Sequence, residues 1–148
     1  MRATVSVFCC GLLLSAGGPG VLAAETKDVA KPADAPLALI AVAGAPGDGE
    51  QALIAALGKR LSAIGIKPAT AFGPNVYAVE GVVKVTANKG GRDSVRIDWT
   101  VFGPDGSTMG GLSQTEGVRW GSLSRKWGRA ADAAARAAAA EIAKLIPH

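Results

Sequence analysis

Alternating apolar and polar residues predict an antiparallel meander in the second half of the chain. Between Ser94 and Phe102 every second residue is apolar, namely Val95, Ile97, Trp99 and Val101. Because successive side chains of a strand point to opposite faces, this spacing gives one apolar and one polar face. A strand over Tyr77–Ala87 precedes it and a strand over Ser107–Gln114 follows it. The glycine-rich segments between the three strands are typical of hairpin turns.

Less regular segments predict a bulge and two further strands. Gly110-Gly111 in the last strand indicates a bulge or the close approach of another backbone. The segment Leu37–Ala43 is apolar throughout and lies between Pro36 and Gly44, which is typical of a short strand buried on both faces. Residues 66–72, interrupted by a proline, could form a short edge strand.

The first predicted helix covers Glu50–Ile64. Asp48 or Gly49 could cap its start, and Gly65 supplies the left-handed residue that ends many helices. Arg60 lies off the apolar stripe and is expected to face water. The stripe consists of Leu53, Ile54, Leu57, Leu61 and Ile64.

The second predicted helix runs from about Ser124 to Ile146. Its many alanines give a high helix propensity and let it lie close to a sheet. One face carries Trp127, Ala131, Ala134, Ala138, Ile142 and Leu145. The element order is therefore β-α-(β)-β-β-β-α. It predicts an α+β domain over residues 37–148, with two helices packed on one face of a three- to four-stranded, mainly antiparallel sheet.

The segment before this domain is predicted to be an export signal followed by a linker. Arg2, an apolar run from Val5 to Leu14 and small residues up to Ala24 are typical of a secretory signal peptide over residues 1–24. Residues 25–36 form an Ala-, Pro- and Lys-rich flexible linker. Both cysteines, Cys9 and Cys10, lie inside the signal and have no good lipobox before them. We therefore expect a periplasmic protein, with an outer-membrane lipoprotein as the less favoured alternative.

The remaining composition argues against catalysis. After signal removal the chain has no cysteine, and its single histidine is the terminal His148. Triad chemistry, thiol chemistry and histidine-ligated zinc then lack their residues, so we expect no enzyme, no cofactor and no metal site. Glu80 and Asp98 could form a carboxylate pair if their strands bring them together. The alternative is that they pair with Lys84 and Arg96.

A basic and aromatic stretch before the last helix is the candidate partner-binding surface. It comprises Arg119, Trp120, Arg125, Lys126 and Arg129. Arginine and tryptophan are enriched where partners dock, so this stretch could bind an anionic polymer or a protein. The alternative is a solvated charged face, with the neighbouring Trp127 in the core. The net charge of +4, of which Arg2 contributes one, is too small to indicate nucleic acid.

Two loops offer weaker candidates. Gln114, Thr115 and Ser122 could give polar recognition before the last helix, or could only cap and close the strands. The loop Gly44–Gly49 has glycines but lacks the Lys-Ser/Thr pair of a phosphate-binding loop. We expect it to be a strand-to-helix turn.

The second half of the chain resembles a known protein family. The segment Val95–Gly106, Gln114, Gly121-Ser122-Leu123 and Trp127-Gly128 ahead of an Ala-rich helix is similar to a family of exported alphaproteobacterial proteins. Many members are described as lipoproteins of unknown function. The element order also resembles the small α+β domains of envelope accessory proteins, such as the N-terminal domain of the Tol translocation protein and the lipoproteins that activate penicillin-binding proteins.

These observations favour a non-enzymatic accessory or adaptor protein of the periplasm or envelope. Its expected partner is an envelope protein or an anionic glycan or lipid surface, with no nucleic acid and no transmembrane helix. The alternative is a small-ligand carrier with a pocket between the helix Glu50–Ile64 and the sheet.

Overall fold

A computed structural model of the chain describes residues 35–119, 123–124 and 126–147. The predicted signal peptide and nearly all of the predicted linker lie outside these residues. The elements are β1 (Leu37–Ala43), α1 (Gly49–Ala63), β2 (Lys67–Pro68), β3 (Val76–Asn88), β4 (Arg92–Phe102), β5 (Thr108–Arg119) and α2 (Gly128–Leu145). The class is α+β, as predicted from the sequence.

The five strands form one open sheet in the order β2-β1-β3-β4-β5. The β3-β4-β5 part is the predicted antiparallel meander. β1 runs parallel to both of its neighbours, because α1 carries the chain back across the sheet before β2 and β3 begin. The sheet has five strands where three to four were predicted, and the short edge strand considered for residues 66–72 is present as β2, paired with β1.

Within the described residues, both helices pack on the same face of the sheet. The core between the layers contains Leu53 and Leu57 of α1, the alanines of α2 and the apolar face of β4. The opposite side of the sheet, called the outer face below, is covered by no described element. The prediction that β1 is buried on both faces was therefore wrong: Ala38 and Val42 are buried, whereas Ala41 is exposed. A continuous apolar run cannot distinguish one covered face from two.

Two glycines leave room for Trp99, one for its ring and one for its backbone. A Cβ on Gly81 of β3 would come within 2.6 Å of the Trp99 ring, and one on Gly111 would come within 2.6 Å of the Trp99 carbonyl oxygen. The ladder between β4 and β5 also shifts by one residue, with Val101 opposite Gly110 and Phe102 opposite Thr108. The bulge and the close backbone approach predicted for Gly110-Gly111 are both present.

Helix α1 follows its predicted stripe except at its last turn. Leu53, Leu57 and Leu61 are buried, but Ile64 is 44% exposed. Ile64 lies at the C-cap, where the chain leaves the helix, so the helical period no longer sets its direction. Gly65 follows with φ +93°, the left-handed conformation expected of a helix stop.

Trp127 joins the start of α2 to the loop between β1 and α1. Its backbone N–H donates to Asp48 Oδ1 at 2.8 Å, and its indole Nε1–H donates to the Pro46 carbonyl at 2.8 Å. The ring lies where a side chain on Gly49 would be, 2.4 Å from a Cβ placed there. Asp48 is the N-cap of α1 by position, but its carboxylate bonds to Trp127 and makes no cap bond to α1.

Helix α2 starts later than predicted. It was expected to begin at about Ser124, but the first residue of α2 is Gly128. Gly128 has φ +27°, outside the right-handed helical region, so a regular helix cannot run through this residue and α2 begins there. The placement of Trp127 in the core, 2% exposed, follows from its contacts with the loop between β1 and α1.

An ion pair between the helices places Arg60 differently from the sequence prediction. Its Nη2 donates to both carboxylate oxygens of Asp132, at 2.8 and 3.0 Å, so it bridges to α2 and does not simply face water. Arg136 lies 3.9 Å from the same carboxylate. The hydrogen bond from Arg60 lowers the pKa of Asp132 and outweighs the opposing effect of desolvation.

Asp132→Asn is expected to lower stability at neutral pH and to have less effect in acid. Because the pKa of Asp132 is lowered by folding, its contribution is fully present above the ordinary aspartate value of about 4. That contribution is lost as the pH falls through the lowered pKa. Urea unfolding of both proteins at several pH values measures the difference. Glu141→Gln, which breaks an exposed pair within α2, is the control and should change little. A stability difference that does not depend on pH would contradict this role of Asp132.

None of the helices in the described part of the chain has the length and apolar character needed to cross a lipid bilayer.

Candidate functional site

The outer face of the sheet has a basic end. Arg92 of β4 pairs directly with Arg119 of β5, and both are exposed. Two rows further along the strands, Lys84 of β3 pairs with Arg96 of β4. By the alternation of the strands, all four side chains share the outer face. We call this set, Lys84, Arg92, Arg96 and Arg119, the basic end.

The basic end contains one nearby carboxylate that is already engaged. Asp98 accepts from Arg96 Nε at 2.9 Å and also accepts from the Ser113 hydroxyl. Both hydrogen bonds lower the pKa of Asp98, and the one from Ser113 has the larger effect. Within the described residues, no acidic side chain pairs with Arg92 or Arg119. The end of the face next to the β3-β4 turn is therefore positively charged.

The structure does not form the carboxylate pair considered for Glu80 and Asp98. Glu80 is opposite Thr100, and Asp98 is opposite Val82, so the two carboxylates are diagonal neighbours. Asp98 has its pKa lowered, whereas the acid of a catalytic pair needs it raised. The alternative pairing is found in part, since Asp98 pairs with Arg96 of its own strand.

The predicted partner-binding residues fall on different parts of the molecule. Arg119 belongs to the basic end on the outer face. Lys126 and Arg129 are exposed at the start of α2, in the helical layer. Trp120 and Arg125 lie outside the described residues.

The solvent-facing side of α2 has an open depression of about 370 Å³ beside Arg129. It is lined by Arg129, Arg136 and Asp132. Because Asp132 is held by Arg60, the depression has one carboxylate that is already paired and two arginines. It could receive an anion, but it is shallow and faces solvent.

The weaker candidates are also separated by the sheet. Gln114 is opposite Ile97 and so points to the helical side, where both of its amide atoms are buried without a partner in the described chain. Thr115 is opposite Arg96, on the outer face. Ser122 lies outside the described residues. The loop Gly44–Gly49 supplies its Pro46 carbonyl and Asp48 carboxylate to Trp127, which agrees with a structural turn.

The pocket predicted for a ligand carrier was expected between α1 and the sheet. The structure has a groove under α2 instead. The observed groove is lined mainly by apolar residues of β4, β5 and α2, among them Ile97, Val118 and Trp127. Its volume of about 60 Å³ is far below the roughly 300 Å³ of ordinary ligand pockets.

The opposite end of the outer face has a second groove, of about 220 Å³. Its walls are Phe72 and the β4-β5 turn at Pro104, and its floor includes Val76 and Phe102. Of the described residues in its lining, Glu80 alone is charged. Sequence analysis missed this groove, as well as the roles of Lys84 and Arg92. The missing information was the strand register, which decides which distant residues become neighbours.

Fold and surface together define an α+β protein with helices on one side of the sheet and, on the other, a charged face that no described element covers. No protein-family model matches the sequence, and neither does any curated protein. Similar solved structures include the dodecamer of a PelC point variant from Paraburkholderia phytofirmans, at 15% identity and a TM-score of 0.48, covering 77% of this chain and 90% of that one.

Two further structures have similar coverage. A second PelC dodecamer structure from the same organism has 15% identity and a TM-score of 0.47, over 76% of this chain and 88% of that one. A minor lipoprotein from Acinetobacter baumannii has 12% identity and a TM-score of 0.36, over 76% of this chain and 89% of that one. Similarities at this level carry no inference about ligand or partner.

Proposed function

We propose that the chain is an exported accessory or adaptor protein of the cell envelope that binds an anionic polymer through its basic end and performs no catalysis. The observation that carries this proposal is the direct pairing of Arg92 with Arg119. Like charges directly opposite each other on neighbouring strands destabilise a sheet. An arrangement that costs stability in the free protein is relieved when an anion lies between the two guanidinium groups.

The chemistry of these side chains suits an anionic polymer. Arginine binds carboxylate, sulfate and phosphate groups through two parallel hydrogen bonds. Between the two basic pairs lies the row Thr86, Ser94 and Gly117, whose small side chains leave the surface low. A flat strip with one basic pair on each side of this row can bind a chain that carries repeated anionic groups. A single small anion would need only one of the two pairs.

The absence of catalysis is itself part of the proposal. Asp98 is engaged by Arg96 and Ser113, so it is not free to act as a base. Within the described residues, no cluster of His, Cys, Asp or Glu side chains is arranged to hold a metal ion. Binding through surface contacts requires neither a free catalytic base nor a metal ion.

Arg92→Gln/Arg119→Gln is expected to weaken binding of dextran sulfate at least tenfold, about 1.4 kcal/mol, by isothermal titration calorimetry. The matched control is Lys59→Gln/Lys67→Gln, which removes the same charge from exposed positions on α1 and β2. It should have only the small effect of net charge. Neutral dextran should bind to none of the proteins. Equal losses in the two double variants would contradict the proposed site.

The exposed basic residues at and just before the start of α2 are the second candidate contact. Lys126 and Arg129 belong to the stretch predicted from the sequence, and Arg129 lines the depression beside Asp132. Lys126→Gln/Arg129→Gln tests them in the same titration. A larger loss of affinity in this variant than in Arg92→Gln/Arg119→Gln would show that the polymer binds at the start of α2 and not on the outer face.

A further inference from the structure

The groove at the other end of the outer face has the composition of a site for a basic side chain. Phe72 is 78% exposed, although phenylalanine is among the residues most often buried, so its ring is open to a partner. The floor is apolar, with Val76 5% exposed. Glu80 is exposed, makes no ion pair in the described chain and is opposite the uncharged Thr100.

One wall of the groove is held in shape before anything binds. In the β4-β5 turn, Asp105 accepts from the Ser107 backbone N–H at 3.0 Å and from the Ser107 hydroxyl at 2.7 Å. These bonds lower the pKa of Asp105, so its carboxylate stays ionised near neutral pH. Gly103 is buried, and a Cβ there would come within 2.7 Å of Asp105 Oδ1. Because this wall is already ordered, it loses little conformational entropy when a partner binds.

The charge of this groove is opposite to that of the basic end. Glu80 lines it, and its lining includes no lysine or arginine from the described part of the chain. A carboxylate beside the exposed ring of Phe72 favours a cation on an apolar stem, because the stem packs on the ring and the charge meets the carboxylate. At about 220 Å³ the groove is smaller than a pocket for a whole drug-sized molecule, so a single side chain is the better fit.

We propose that this groove docks a protein partner through one arginine or lysine side chain flanked by apolar residues. Glu80 pairs with the cationic group, and Phe72 and Phe102 contact its stem and the neighbouring apolar residues. The outer face then has two contacts of opposite sign, one at each end. This proposal does not depend on the anionic polymer proposed above, because the two contacts share no residue.

The experiment is an NMR titration of the ¹⁵N-labelled full chain with two peptides, acetyl-Ala-Leu-Arg-Leu-Ala-amide and the same peptide with Gln in place of Arg. We expect the Arg peptide to shift the amide signals of Ala78, Phe102 and Gly103, and to bind at least fivefold more tightly than the Gln peptide. Glu80→Gln should remove this preference. Phe72→Ser should weaken binding of both peptides, because the apolar wall is lost.

Glu116→Gln is the matched control, since Glu116 is an exposed carboxylate on the other face of the same sheet. It should leave the preference for the Arg peptide unchanged. Because Glu80 and Phe72 are exposed, both variants are expected to keep the spectrum of the folded protein. Equal affinity for the two peptides, or a preference that persists in Glu80→Gln, would overturn the proposal. Neither result would affect the binding of dextran sulfate at the basic end.

Discussion

Replacing Trp127 by alanine is expected to lower the free energy of unfolding by about 3–5 kcal/mol, the usual cost of removing a buried tryptophan. The side chain is 2% exposed and packs against the glycine at the start of α1. Its loss would leave a cavity and would leave the Pro46 carbonyl without its donor. Since small domains are stable by only about 5–15 kcal/mol, this single change would remove a large part of the total free energy of unfolding. Urea denaturation followed by circular dichroism measures it.

Two further variants separate the parts of this effect. Trp127→Phe keeps most of the ring but removes the indole donor, so it should cost clearly less than alanine does. Phe72→Ala removes a large apolar side chain that is 78% exposed, and should change stability by less than about 0.5 kcal/mol. If Trp127→Ala were as mild as Phe72→Ala, the connection between the first loop and α2 would not be holding the fold.

Gly81→Val is expected to destabilise the protein by about 1–3 kcal/mol or more, although valine is a better strand former than glycine. A Cβ at this position would come within 2.6 Å of one Trp99 ring atom and 2.8 Å of another. Trp99 is 1% exposed and cannot move away without disturbing the core. Packing predicts that this change lowers the free energy of unfolding, whereas strand propensity predicts that it raises it. The measured value decides between them.

Gly117→Val on β5 is the matched control for this experiment. A Cβ there would meet nothing within 4 Å, so the gain in strand propensity should appear without a clash. The change should be neutral or stabilising. Trp99→Leu should also cost less in the Gly81→Val background than alone, because it makes room for the added side chain. Destabilisation of equal size at both glycines would show that the contact with Trp99 is not the cause.

The meander could be predicted from the sequence because its information is local. The alternation around Trp99 and the glycines in the turns are visible in short windows, and the structure confirms them. β5 was predicted to stop at Gln114 but continues to Arg119. Its last residues are mostly polar and exposed at a sheet edge, where backbone pairing with β4 continues without an apolar pattern.

Features that depend on distant residues could not be predicted in this way. Trp127, just before α2, bonds to Asp48, which is 79 positions away. The partner of Arg60 is 72 positions away on α2. The basic end has the same origin: Arg119 was a candidate from its neighbours in sequence, but its pairing with Arg92 follows only from the register. Local patterns identify elements, whereas contacts between elements determine the site.

The placement of both helices on one side of the sheet has a consequence for how this protein can change over evolutionary time. Side chains such as Glu80 and Arg92 point away from the core, so their replacement should rarely threaten folding. Selection can therefore alter what the uncovered side recognises while the packed side stays constant. Relatives with the same scaffold are expected to differ most in the charges carried by this side.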